Sequence, residues 1–434
     1  MNVALAKTET GEAVNSVFTV ARDRLPGSGK VVDLRRQAFE TFEGAGLPNR
    51  RVEEWKYTDL RALMRDVLPL APKPDADAIA RARDALKTAG VAGAAKLVLV
   101  DGVFAPELSD VAEAGVAVKT LREGLENGDS DLLRTDASDV MISLNAALAT
   151  DGVVISVADG AALVRPLQII HVAAVSKASA FTRSHVTIGK GARATLVESF
   201  VAAEGAKAYQ SNDVVILSIG DDAEFFHVRL MADGVDASNI ASGIFSVGAK
   251  ADCNLFNMTS GGALSRFQGF VTLKGEGSDL NINGVNLLKG TQHGDTTLVV
   301  DHAVPNCTSR EVFRAVVDDR AHSVFQGRII VRPGAQKTDG KMMTRALLLS
   351  DEAEADNKPE LEIFADDVTC GHGATAGALD ESLLFYLRAR GLPEKEAQAL
   401  LIQAFVGEAI EAIADDDLRE AAMAVAQRWL EARA

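Results

Sequence analysis

The sequence predicts a mainly β core, with strands stacked as the coils of a β-helix, between two helical ends. Three observations carry this. From residue 151 to residue 368, short alternating apolar runs rich in Val, Ile, Phe and Thr are separated by Gly or Asp turns. Those turns recur at roughly 27–31 residues, a period that signals a repeat architecture. No helix-length apolar pattern lies between them, so the strands lack crossover helices and stack as coils. A two-sheet sandwich is the competing architecture.

Taken in order, the chain opens with helical patterns. Residues 13–24 place Val14, Val17, Phe18 and Ala21 on one face, and Leu25-Pro26-Gly27 ends the run. Residues 32–43 repeat the habit with Leu34, Ala38, Phe39 and Phe42. After the break at Gly46-Leu47-Pro48-Asn49 comes Glu53-Glu54-Trp55-Lys56-Tyr57-Thr58. Trp55 is either a binding platform or, the plainer reading, an amphipathic ring that locks a loop onto the domain. Residues 76–87 read as a helix and residues 96–100 as a short apolar strand.

The repeat follows. Gly189-Lys190-Gly191-Ala192, Gly220-Asp221-Asp222-Ala223, Gly248-Ala249-Lys250-Ala251, Lys274-Gly275-Glu276-Gly277 and Asp318-Asp319-Arg320-Ala321 each precede a strand. Past Asp380 the pattern is helical again. Residues 381–390 carry Leu383, Leu384 and Leu387, Gly391 follows, and Pro393 opens a helix over 394–413. A last helix covers 418–432. These helices cap the open end of the solenoid or offer a ridge to a partner. The domain boundaries expected are 1–150, 151–368 and 369–434.

Composition narrows the function. The chain has 434 residues, 47% of them hydrophobic, and a formal net charge of −16. An acidic chain of this kind is unsuited to nonspecific nucleic-acid or anionic-membrane binding. The three cysteines, Cys253, Cys307 and Cys370, form no CxxC pair and no disulfide framework. No apolar run reaches the length of a membrane span, and residues 1–21 lack the apolar core of a signal peptide. A soluble cytoplasmic protein is the default expectation.

Few residues carry chemistry. Gly27-Ser28-Gly29-Lys30 fails as a phosphate loop, because Arg24 and Val31 stand where the motif needs Gly and Ser or Thr. The carboxylate pairs Asp318-Asp319 and Asp366-Asp367 point to opposite faces of a strand. No G-x-S-x-G nucleophile motif is present. Cys370 and His372 stand one residue apart, on one side of a strand, and are either metal ligands or packed core. His302 and Cys307 make a second such neighbourhood, which a rung or two of solenoid would have to bring to the first. Cys253 and His227 read as inner packing; His171, His185, His293 and His322 carry no pairing signal.

A series of ordered blocks then identifies a family. These are the Glu53–Thr58 block; Leu144-Asn145-Ala146-Ala147-Leu148 with Asp151-Gly152; Thr308-Ser309-Arg310; and Phe325-Gln326-Gly327-Arg328-Ile329. They continue through Ala335-Gln336-Lys337-Thr338-Asp339, Cys370-x-His372-Gly373-Ala374-Thr375 and Leu384-Phe385-Tyr386-Leu387-Arg388. Together they resemble the SufB/SufD family of iron–sulfur cluster assembly scaffolds. The Glu53–Thr58 block and the poverty in cysteine resemble its SufD branch. The resemblance implies a right-handed parallel β-helix flanked by helical regions, and a non-enzymatic subunit with no nucleotide site. It implies pairing with SufB and binding of the ATPase SufC through the C-terminal helices; without SufB, a homodimer using the same exposed strand edges is expected, because paired edges are less prone to wrong association. It implies that His372, and more weakly Cys370, join a transient iron–sulfur cluster shared with SufB; a flavin belongs to the whole complex, with no stretch here to place it. Two other readings stay open: a β-helix polysaccharide hydrolase or lyase, and a purely structural subunit in which Cys370 and His372 are core.

Overall fold

The structure, a computed structural model, describes residues 17–110 and 113–433. Its strands fall into two sheets, one of ten and one of nine, and from Leu167–Ala173 onward they alternate between the two. Within a sheet, each strand pairs in parallel with the strand one coil away. One column runs Ile188, Ile219, Val247, Leu273, His302, Val331, Ile363 without a slip. This is a parallel β-solenoid of about 8 turns, not a two-sheet sandwich.

The repeated turns show why the period is readable. At Gly220, a Cβ would meet the Gly189 carbonyl carbon at 2.8 Å, and at Gly275 the Ala249 nitrogen at 1.9 Å, so stacked turns require glycine there. Two residues on, the chain turns through positive φ at Gly191, Asp222, Lys250 and Gly277. Asp159 and Asp221 accept hydrogen bonds from the Lys190 and Ala249 amides of the next turn, at 2.8 Å each.

Alternation along each strand sends one row inward. Leu196, Phe225, Leu255, Leu280 and Ile282 from one sheet meet Val215, Leu217, Phe245, Val271 and Val300 from the other, all buried in one continuous core along the lumen. The outer faces are covered separately. Over the nine-stranded sheet, the Glu53–Thr58 block is a strap. Trp55 is fully buried, its ring 3.8 Å from the Arg266 guanidinium, and its Nε1 donates to Asp139 at 2.9 Å. Arg266 pairs with Asp295, Thr58 bonds both Asp295 and His293, and Glu53 pairs with Lys358. Of the two readings of Trp55, the anchoring ring fits. Residues 17–21 are helical and Arg22–Arg24 form a 3-10 turn; the rest of the first expected helix, residues 13–16, lies outside the described residues.

Three features differ from the sequence reading. Ala95–Val100 and Val103–Phe104 form a hairpin that ends the ten-stranded sheet, and Val116–Thr120 pairs antiparallel with Val153–Val157 to end the other. The sheets therefore begin before residue 151. At the far end, Thr369–Gly377 is a strand, so the boundary placed at 369 falls just inside the last coil. Its sequence hides this: as an end strand rich in Gly and Ala it has no buried apolar row to read. Finally, the C-terminal helices do not cap that end. Glu394–Ile410 and Asp416–Glu431 bury Ile402, Val406, Ile410, Leu418 and Trp429 against Val228, Phe256, Val285 and Val316, on the outer face of the ten-stranded sheet.

Candidate functional site

Because the helices lie along the side, the two final strands, Glu354–Ile363 and Thr369–Gly377, are sheet edges. Such a solenoid end normally requires a cap, and such edges a partner. The opposite end is blunted by its antiparallel strands.

Cys370 and His372 stand on the last strand. Cys370 is in register with Gly340 and His372 with Met342, both buried on the inward row. Both side chains therefore face the mouth of the lumen, as period-2 geometry requires. Their surroundings differ. Cys370 is half-buried and packs against the lumen core, and burial raises its thiol pKa, which disfavours the thiolate a metal needs. His372 is exposed. Across the mouth, Asn357, Leu361 and Ile363 continue the inward columns of Phe325, Ile329 and Val331. Ile363 is 42% exposed and its neighbour Phe364 59%, giving the mouth an apolar lip.

Two coils in, Glu311 is in register with Met342, which in turn lies beneath His372 in the column. It is fully buried, neither carboxylate oxygen has a hydrogen-bond partner among the described residues, and desolvation pushes its pKa up to about 8. Sequence reasoning passed over this residue. A signal was there: strict alternation puts Glu311 on the same face as Ser309 and Phe313.

The second His/Cys neighbourhood does not reach the mouth. His302 shares a hydrogen bond of 3.0 Å with Ser309, which stands in the Cys370 column two coils down, roughly 10 Å away. Cys307 is buried and its thiol donates to the Gly275 carbonyl at 3.3 Å. Cys253 is packed core, as expected, with its thiol pushed up to about 12 by burial. His227 is inward but not mere packing, since it bonds Glu198 at 2.8 Å. His185 bonds the Leu132 carbonyl and His322 bonds Asp356, each at 2.8 Å. The adjacent acids are apart: Asp318 pairs with Arg433, Asp319 accepts from the Gly290 amide, and Asp367 pairs with Lys337. Among the described residues, no third His, Cys, Asp or Glu joins Cys370 and His372 within ligand reach. The mouth presents one exposed imidazole and one half-buried thiol.

A second surface is apolar. Helix Glu381–Ala389 buries none of its residues and exposes Leu383, Phe385 and Tyr386, with Phe385 at 73%. Among the described residues, no helix is long and apolar enough to cross a membrane.

Comparison with known proteins finds similarity over nearly the whole chain. The "SUF system FeS cluster assembly, SufBD core domain" matches residues 171–405, and the "SufBD protein N-terminal region" matches residues 26–169. The iron–sulfur cluster assembly protein SufD of Escherichia coli K12 is 33% identical over 401 residues, covering 90% of each chain. The SufBD family protein slr0076 of Synechocystis is 30% identical over 403 residues, covering 88% of this chain and 87% of its own. ABCI7, a chloroplastic protein of Arabidopsis thaliana, is 27% identical over 410 residues, covering 90% of this chain and 84% of its own. A solenoid with one uncapped end and an exposed imidazole at its mouth is thus carried by a chain that belongs to the SufB/SufD family of iron–sulfur cluster assembly proteins.

Proposed function

We propose that this chain is the SufD-type scaffold subunit of an iron–sulfur assembly complex, and that its uncapped end docks on a SufB subunit. The observation that carries the reading is the placement of His372: lumen-facing, exposed, on the last strand, with no complete donor set around it. Docking covers the apolar lip at Ile363 and Phe364 and the unpaired strand edges. It also brings His372 against donors from the partner. A nascent iron–sulfur cluster is the cargo of such a site. The imidazole suits iron whose remaining ligands are thiolates supplied from across the interface. Cys370 supports the site by packing; its raised pKa makes it the weaker ligand. The exposed face of helix Glu381–Ala389 is the contact offered to the ATPase SufC.

The test uses His372→Ala, purified together with SufB and SufC. The complex is expected to assemble with normal stoichiometry while iron and sulfide on it fall severalfold. An unchanged cluster yield removes the assigned role, and a failure to assemble makes His372 a docking residue and not a ligand.

A further inference from the structure

At the opposite end of the lumen, the first coils enclose a polar cluster that the proposed role leaves unused. His171, Glu198, His227 and Arg229 come from the ten-stranded sheet, Thr182 and Asp213 from the nine-stranded one. Glu198, Asp213, His227 and Arg229 are each no more than 2% exposed. Much of the set is satisfied internally. Glu198 Oε2 lies 2.8 Å from His227 Nε2 and 2.7 Å from Arg229 Nη1, and Asp213 Oδ2 lies 3.4 Å from Arg229 Nη2.

What remains is a set of donors that do not satisfy one another. Glu198 Oε1 and His171 Nε2 are buried with no hydrogen-bond partner among the described residues. Asp213 Oδ1 takes the Thr182 hydroxyl at 2.7 Å and lies 3.8 Å from His171 Nε2, too far for a hydrogen bond. One donor atom from each of His171, Glu198 and Asp213 lies within 4.8 Å of the other two. Two ligands of one ion with bonds of about 2.0–2.2 Å stand at most about 4.4 Å apart, so small side-chain movements close the set.

We propose that His171, Glu198 and Asp213 bind one divalent transition-metal ion, of the Zn2+, Mn2+ or Fe2+ class, that ties the two sheets together across the first coils. One imidazole and two carboxylates suit these ions. Arg229 opposes a cation, but it engages the other oxygens of both carboxylates. Asp233, buried nearby and held by Tyr209 and Asn239, supplies a further negative charge. A cavity of about 30 Å³, lined by His171, Thr182, Phe200 and Tyr209, adjoins the cluster and has room for one water as a further ligand.

The test uses the full-length chain, stripped with a chelator and dialysed against Zn2+, Mn2+ or, without oxygen, Fe2+. One ion per chain is expected for at least one metal, with a melting temperature raised by several degrees. His171→Gln and Glu198→Gln are expected to lose both, while His372→Ala keeps both, which separates this ion from cluster iron. Glu198→Gln also unpairs Arg229, so where it fails to fold His171→Gln decides. The proposal is overturned if no metal binds the wild-type chain, or if His171→Gln binds as the wild type does.

Discussion

Glu311 offers a sharp check on the picture of a dry, closed lumen behind the mouth. Its carboxyl is fully buried with no hydrogen-bond partner among the described residues, and it holds its proton up to about pH 8, because burial penalises the anion more than nearby Ser309 and Arg310 favour it. In the unfolded chain the same group ionises near its ordinary value of 4.5. Between those two values unfolding releases a proton, so stability is full below about pH 4.5 and falls as pH rises, levelling above about 8. At about 1.4 kcal/mol per pH unit, the whole window amounts to on the order of 5 kcal/mol.

Glu311→Gln keeps the shape and removes the titration. The amide carries its own unsatisfied-polar cost, so the variant's absolute stability is uninformative, while its pH dependence relative to wild type is decisive. A chain of 434 residues unfolding as one unit shifts by about 1 °C per kcal/mol. Melting curves from pH 5 to pH 9 should therefore show the variant gaining about 4 °C on the wild type, most of it below pH 8. Other titrating groups cancel in the difference. Parallel curves across that range would refute the reasoning, and would mean that water or a partner group reaches the carboxylate.

Other expectations follow from the same coordinates. Trp55→Ala removes the buried ring against Arg266 and should cost about 3–5 kcal/mol, read by denaturant unfolding, with the strap released to protease near Arg50. Gly275→Ala places a Cβ on the Ala249 nitrogen and should lower the yield of folded chain far more than Gly334→Ala, which meets open space. Phe385→Glu should abolish SufC capture with the melting temperature unchanged, since the helix buries nothing. Deleting residues 381–434 should instead destabilise the solenoid itself, because it bares Val228, Phe256, Val285 and Val316; circular dichroism of that truncation distinguishes the two effects. Ile363→Asp should weaken association with SufB or with a second copy, measured by sedimentation.

The solenoid was legible because its turns need small residues at fixed places: Gly189, Gly220, Gly248 and Gly275 are a stacking requirement written into the chain. The shared side of Cys370 and His372 was legible from spacing alone. That this strand belongs to the last coil was missed, since an end strand has only one neighbour in its sheet and no apolar alternation to show. The packing site of the C-terminal helices was illegible for a different reason. Glu394–Ile410 is apolar on several faces, with Ile402 and Val406 buried but Leu400 exposed, so no single stripe points to its partner. The cluster of His171, Glu198 and Asp213 was illegible in principle. Its members sit on three strands of two sheets, and only the coil register brings them together.

The two ends of the lumen terminate in opposite ways. At one end, hairpin and antiparallel strands terminate the sheets, and polar side chains there find one another inside. At the other, parallel pairing stops with two unpaired edges, and the inward row runs out into solvent as Cys370, His372, Leu361 and Ile363. The same termination that leaves backbone groups unpaired leaves the His372 imidazole exposed. On the proposed reading, a partner that pairs these strand edges brings its own groups to His372, so docking and ligand completion are one event. On that reading, whatever pries the edges apart also opens the site and frees what it holds.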